Sequence, residues 1–216
     1  MFKIRASQCG KIMGVRGLGK TGQSYAEQWY KEQFFKRRKE FTSKYTNKGN
    51  IMEDNSIDFV TDQLGLGFVL KNDKYFEDEF MTGTPDVILP DMIIDVKNSW
   101  DCFTFPLLDT SIPDSDYYWQ AQCYMHLTGI KKYKLCYVLS DTPIHLIEKE
   151  AFYYCKNNGY DGLDVDVYEK FVAKMTYPDI DDKHKLKVYD IDYNPDESVK
   201  IQDRVIECRS HLDKIL

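Results

Sequence analysis

The chain has 216 residues, enough for one domain with a substantial core, and its 43% hydrophobic and 30% charged residues are an ordinary globular balance. Its net charge of −6 hides an asymmetry: residues 1–50 carry +9 and residues 51–216 carry −15. No apolar run of about 18 residues exists, which excludes a membrane span, and the start lacks a signal peptide's apolar core, so a cytoplasmic protein of a bacterial or phage-infected cell is expected.

In chain order, "FKIRASQCGKIM" (2–13) is read as a short strand or loop followed by a helix capped near Ser7. "GVRGLGKT" (14–21) then matches the P-loop pattern G-x-x-x-x-G-K-[ST]. A P-loop follows a buried apolar strand and opens a helix. The polar residues before Gly14 do not form such a strand. The glycines are read as ending the first helix, and the stretch as a flexible loop whose Arg16 and Lys20 suit a phosphate backbone. A nucleotide-binding or phosphate-binding P-loop protein stays open as an alternative at this point.

Residues 24–40 lack Gly and Pro and are expected to be one helix, with "KRRK" (Lys36, Arg37, Arg38, Lys39) as the densest basic cluster. A basic segment on an acidic body suits a polyanion, although a solvated helix face reads equally well. A second helix is expected from about Asn50, with Ile51, Ile57, Val60 and Leu64 at helical spacing and Gly65 as its stop. "GFVLKND" and "KYFEDEFMTG" follow as two strands with a turn at Asn72–Asp73. "PDVIL" and "MIIDVKN" form a hairpin, and "SDYYWQAQCYMHLTG" a helix from a Ser115 cap to Gly129. "KYKLCYVLS" is a strand, 141–185 is mixed, "KLKVYDIDY" is a late strand and 195–216 a closing helix. The order predicts a single α/β domain, residues 1–216, with a mixed central sheet flanked by helices.

The hairpin carries the chemistry. A tight turn at Pro90–Asp91 pairs residues whose numbers sum to 181, which sets Asp86 opposite Asp95. Alternation puts Asp95 and Lys97 on one face. Two adjacent carboxylates repel, more so when buried, and a divalent cation with hard oxygen ligands compensates. Lys97 can then reach an attacking water or a phosphate. The six cysteines lie at least 13 positions apart, against a zinc site of common spacing or a disulfide framework, so reduced thiols are expected.

"GTPD", "DVK" and "QAQCY", in that order, resemble the G-x-x-D, [DE]-x-K and Q-x-x-x-Y patterns of the PD-(D/E)xK nuclease superfamily. The closest branches are its RecB-type and lambda-exonuclease/YqaJ-like recombination exonucleases. Upstream, "KGNIMEDNSIDF" resembles that family's G-x-x-x-E helix with Gly49 and Glu53, and "IRASQCGKIMG" the opening where an Arg and a Ser meet DNA. The resemblance covers residues 3–130 or so; Asp95 stands where many relatives have Glu.

The resemblance implies a restriction-endonuclease-like core and a metal-dependent DNA exonuclease acting on linear duplex DNA in phage-type recombination or repair. Asp86, Asp95, the Val96 carbonyl and Glu53 would bind Mg²⁺ or Mn²⁺, and Lys97 and Gln120 would serve the reacting water. Arg5 and Ser7 would contact phosphate, joined by Arg16, Lys20, Lys36, Arg37 and Arg38. Trp100 and Tyr124 complete the candidate DNA contacts. Trp100 and Phe103 could stack on a base, with core packing the favoured role for Phe103, as a structural role is for Tyr124. A homo-oligomer, a trimeric ring by analogy, and a single-strand annealing partner are further implications. Three other readings remain: a RecB-type or CRISPR-adaptation-like single-strand nuclease, the P-loop protein, and a non-catalytic DNA-binding module.

Overall fold

The computed structural model describes residues 1–39 and 43–216; Glu40 of the expected 24–40 helix lies outside them, and within them that helix ends at Phe35, with Lys36 in the left-handed region at φ 51. Strand β1 (Ile4–Arg5) runs into a 3₁₀ helix, Ala6–Ile12, whose cap position is Arg5; Ser7 lies exposed inside it and caps nothing. The glycine-rich loop ends this turn and also opens a helix, α1 (Lys20–Phe35), four residues earlier than expected. Helix α2 (Lys44–Gln63) likewise starts early. Ser43 Oγ accepts from the Thr46 amide while Thr46 Oγ1 accepts from the Ser43 amide, a reciprocal cap that outweighs Asn47, Gly49 and Asn50. Gly65 ends α2 with φ +67, as expected.

"GFVLKND" forms no strand. Gly65 and Gly67 both take positive φ, Phe68 and Leu70 are exposed, and the Asn72 amide bonds the Asp86 carbonyl instead of a ladder partner. Short strands β2 (Phe76–Glu77) and β3 (Met81–Gly83) pair antiparallel, and β1 joins β3 in parallel, making a small separate sheet. The second sheet has the order β4 (Val87–Ile88), β5 (Ile93–Asn98), β6 (Lys132–Val138), β7 (Leu186–Asp192). Only β5 and β6 are parallel, joined across α3 (Ser115–Thr128); the other pairs are antiparallel, so the sheet is mixed. Asp114, not Ser115, caps α3, and Gly129 closes it at φ +79.

Strand alternation gives β5 two faces. Ile94 and Val96 pack with Val87, Cys136 and Val138 against Ile57 and Val60 of α2. Ile93 faces the larger core, built with Tyr133, Leu135, Tyr137, the α3 residues Ala121, Cys123, Tyr124 and Met125, and the closing helix α6 (Pro195–Ile215). Each fully buried aliphatic side chain here contributes about 1.5–3 kcal/mol of transfer free energy. Between β6 and β7, the 141–185 segment folds as a helical hairpin, α4 (Ile144–Asn157) and α5 (Val165–Met175), over its own small core of Trp100, Leu146, Ile147 and Met175. All six cysteines are free thiols. Among the described residues no helix is long and apolar enough to cross a membrane.

Candidate active site

The β4–β5 turn closes with the Leu89 amide donating to the Met92 carbonyl at 2.9 Å, and Val87–Ile94 and Ile88–Ile93 are paired. Extending that register by one step sets Asp86 across from Asp95. Asp86 is held from two sides: its Oδ2 accepts from the Val96 amide at 2.9 Å, and its carbonyl accepts from the Asn72 amide at 2.7 Å. Asp95 is completely buried. Its Oδ1 accepts from Gln120 Nε2 at 3.0 Å, a contact that α3 delivers across the sheet face. Its Oδ2 lies 2.5 Å from Lys97 Nζ, but off the axis a hydrogen bond requires, so this oxygen is ion-paired yet has no hydrogen bond.

The charges do not balance. Two carboxylates share one ammonium in a largely water-free place. Burial and the Asp95 charge push the Asp86 carboxyl up to about 7, against the opposing pull of Lys97 and the Val96 amide. Burial disfavours the Lys97 ammonium, but Asp95 and Asp86 outweigh it and raise Lys97 above the usual lysine range. Burial first, then the Asp95 charge, also raises the Tyr124 and Tyr133 phenols, and takes the Cys136 thiol up to about 12.

Tyr124 supports this site from beneath. It is buried, its hydroxyl donates to the Thr84 carbonyl at 3.0 Å, and its ring stacks on Tyr133. A Cβ on Gly83 would fall 2.5 Å from the Tyr124 ring, which accounts for the glycine of "GTPD". Tyr124 is thus enclosed by protein and offers no surface to DNA. Trp100 is also placed differently from expectation. It is only 6% exposed, packed under the α4–α5 hairpin with its ring against Tyr45, whereas Phe103 is 80% exposed. The two aromatics exchange the roles read from sequence, because the helices that cover Trp100 come from 40 to 75 residues further along the chain.

Glu53 stands on α2 with its Oε2 3.0 Å from Lys71 Nζ, which also meets Asp54 at 3.1 Å. Among the described residues no three His, Cys, Asp or Glu side chains converge as a metal-holding group, so Glu53 is not drawn in with Asp86 and Asp95. Arg5 is committed to buried Glu32 at 2.5 Å, with Gln28 on the other Glu32 oxygen. Ser7, Arg16, Lys20, Lys36, Arg37 and Arg38 are exposed.

"GVRGLGKT" is tied to α6. Arg204 donates to the Gly14 carbonyl at 3.2 Å, and Glu207 accepts from the Leu18 amide at 2.9 Å. A carboxylate therefore sits on a loop amide that a P-loop would offer to phosphate, and a 3₁₀ turn stands where the strand should be.

Three residues close to the site carried no sequence signal. Asn72, read as a turn residue, clamps the hairpin through its amide and through Nδ2 to the Pro85 carbonyl at 2.9 Å. Lys48 is fully buried and donates to the Trp100 and Ser140 carbonyls at 3.0 and 2.7 Å, and burial lowers its pKa to about 8. Tyr117, one turn before Gln120, places its ring 5.0 Å from Lys97 Nζ. Only the (i, i+3) spacing to Gln120 could have pointed to it.

Hairpin, cross-sheet glutamine and crossover helix together define a nuclease-type α/β core. No protein-family model and no curated relative matches the chain. Among solved structures, a phage-related exonuclease from Haemophilus somnus 129PT matches over 99% of this chain and 95% of its own, with 25% identity and a TM-score of 0.79. An alkaline exonuclease from Laribacter hongkongensis matches at 13% identity and TM-score 0.68 over 98% and 88% of the two chains. The same enzyme in complex with dAMP matches equally well, at 14% identity. The chain has the fold of the phage-related and alkaline exonucleases, the branch its three motifs resemble.

Proposed function

We propose that this chain is a metal-dependent DNA exonuclease of the PD-(D/E)xK type, acting on linear duplex DNA in phage-type recombination or repair. The observation that carries this reading is the Asp86–Asp95–Lys97 group around a fully buried Asp95, with two carboxylates to one ammonium and one Asp95 oxygen left without a hydrogen bond. The exonuclease descriptions of the two matching proteins support it, as does the dAMP complex of one of them.

The donor set fits Mg²⁺ or Mn²⁺: hard oxygens, surplus negative charge and an acceptor needing a partner. Asp86, Asp95 and the Val96 carbonyl would hold the ion. A strand residue's N–H and C=O leave the same edge in an antiparallel pair, which sets that carbonyl beside Asp86. Glu53 joins them only by exchanging Lys71 for the ion. The chemistry a bound divalent ion supplies is polarisation of the phosphate and a lowered pKa for water. Lys97 orients that water and offsets phosphate charge as the bond to the leaving oxygen breaks. Gln120 keeps Asp95 from rotating by holding Oδ1.

The backbone contacts of this reading fall to exposed Arg16, Lys20, Lys36, Arg37, Arg38 and Ser7, with Arg5 contributing by shaping the N-terminal segment through Glu32. A ring-shaped homo-oligomer and an annealing partner belong to the same proposal. The test is digestion of end-labelled linear and closed circular duplexes with Mg²⁺. Linear DNA should be consumed and circles spared, with Lys97→Ala inactive while still folded. Cutting of circles, or full activity of that variant, would overturn the assignment.

A further inference from the structure

Beside Lys97 stand Asp95, which the sequence motifs explain, and Tyr117, which they do not. Nζ is 2.5 Å from Asp95 Oδ2 without the geometry of a hydrogen bond, and 5.0 Å from the centroid of the Tyr117 ring. Its side chain is 21% exposed, and the ammonium lies between a carboxylate and an aromatic face. Tyr117, Gln120 and Tyr124 stand at i, i+3 and i+7 on α3 and form one stripe. Gln120 holds Asp95 Oδ1, and Tyr124 braces the strand that leads to Asp86.

The Tyr117 ring is itself fixed. It meets Tyr137 edge-on, at 6.0 Å and 79°, and Tyr137 meets Tyr189 at 6.0 Å and 84°. Tyr137 is also the β6 residue paired with Lys97 in the parallel ladder. Tyr189 is anchored by its hydroxyl to the Asp109 carbonyl at 3.3 Å. Three rings thus run across β6 and β7 and end over Lys97.

We infer that Tyr117 is a positioning residue for Lys97: its ring face, 5.0 Å away, holds the ammonium that Asp95 pairs with, and the two together fix where the charge sits. A ring face attracts a cation without offering a lone pair that would trap it. Without the ring, the ammonium keeps only its ion pair with Asp95, and its position is no longer fixed. The ammonium is then less able to meet an incoming anion. This inference rests on the nuclease reading for its consequence, but the contact has its own signature.

The experiment pairs Tyr117→Leu with Tyr117→Phe. Steady-state digestion of linear duplex should show kcat reduced roughly tenfold in the Leu variant with KM within about twofold, and Phe restoring most of that loss. Alongside, NMR of lysine-labelled protein without metal should show the Lys97 ε-methylene signal, assigned through Lys97→Ala, shifted upfield by the ring in wild type and Phe and not in Leu. Unaltered kcat in Leu, equal losses in Leu and Phe, or a Lys97 signal indifferent to the ring would each overturn the inference. A ring-shifted Lys97 in a wild-type protein that digests no DNA would instead remove the nuclease reading and leave the ring–ammonium contact standing.

Discussion

Replacing Asp86 with Asn removes one of the two carboxylate charges while keeping an oxygen for the Val96 amide. Asp86 titrates near 7 in the fold, against 3.8 for an ordinary aspartate. A carboxyl raised in this way binds its proton more tightly folded than unfolded, so its contribution to stability is whole below about pH 3.8 and is lost as pH rises through about 7. At 1.36 kcal/mol per unit the loss is on the order of 4 kcal/mol. Urea unfolding in a chelator between pH 5 and 8.5 measures the part lost above pH 5, about 2.7 kcal/mol. Wild type should lose stability across that range relative to Asp86→Asn, whose profile lacks this component. Magnesium added at pH 8 should restore stability to wild type far more than to the variant, since the ion replaces the proton as the compensating charge. Parallel profiles for the two proteins, or a wild type that gains on the variant as pH rises, would refute the claim that a strained carboxylate pair lies in this core.

Three further outcomes follow from the same geometry. Gly83→Ala should destabilise by about 1–3 kcal/mol in thermal or urea melts, because the new methyl meets the Tyr124 ring, itself fixed by Thr84 and Tyr133. Gln120→Leu should cost about 1–3 kcal/mol by leaving Asp95 Oδ1 without its donor, and should weaken Mg²⁺ binding in calorimetry. Lys20→Ala combined with Arg16→Ala should weaken DNA binding and lower the slope of log affinity against log salt by up to about 2, with Mg²⁺ affinity unchanged. An unchanged slope would make "GVRGLGKT" a connecting loop and nothing more.

The Asp86–Lys97 hairpin is legible because its determinants are local. Pro90–Asp91 marks the turn, and a period of two then dictates which side chains share a face, so Asp86, Asp95 and Lys97 follow from counting. Gly129 and Gly65 stop their helices for an equally local reason, the left-handed backbone each one adopts. The α2 start was missed, though it is also local: Thr46 takes the place of the Glu or Gln usual in a capping box.

What tertiary structure alone decided is where each side chain ends up when its partner is distant. Trp100 and Phe103 differ by three positions and little in chemistry, yet α4 and α5 cover one and leave the other in solvent. Arg5, a phosphate candidate by its motif, is paired with Glu32, and the glycine-rich loop, a P-loop match by its pattern, has its Leu18 amide taken by Glu207, nearly 190 residues away. Lys48 is buried because two carbonyls from separate strand ends meet over α2. A sequence states what a side chain can bond; burial and pairing depend on which groups the remainder of the chain brings within 3 Å, and no local pattern encodes that.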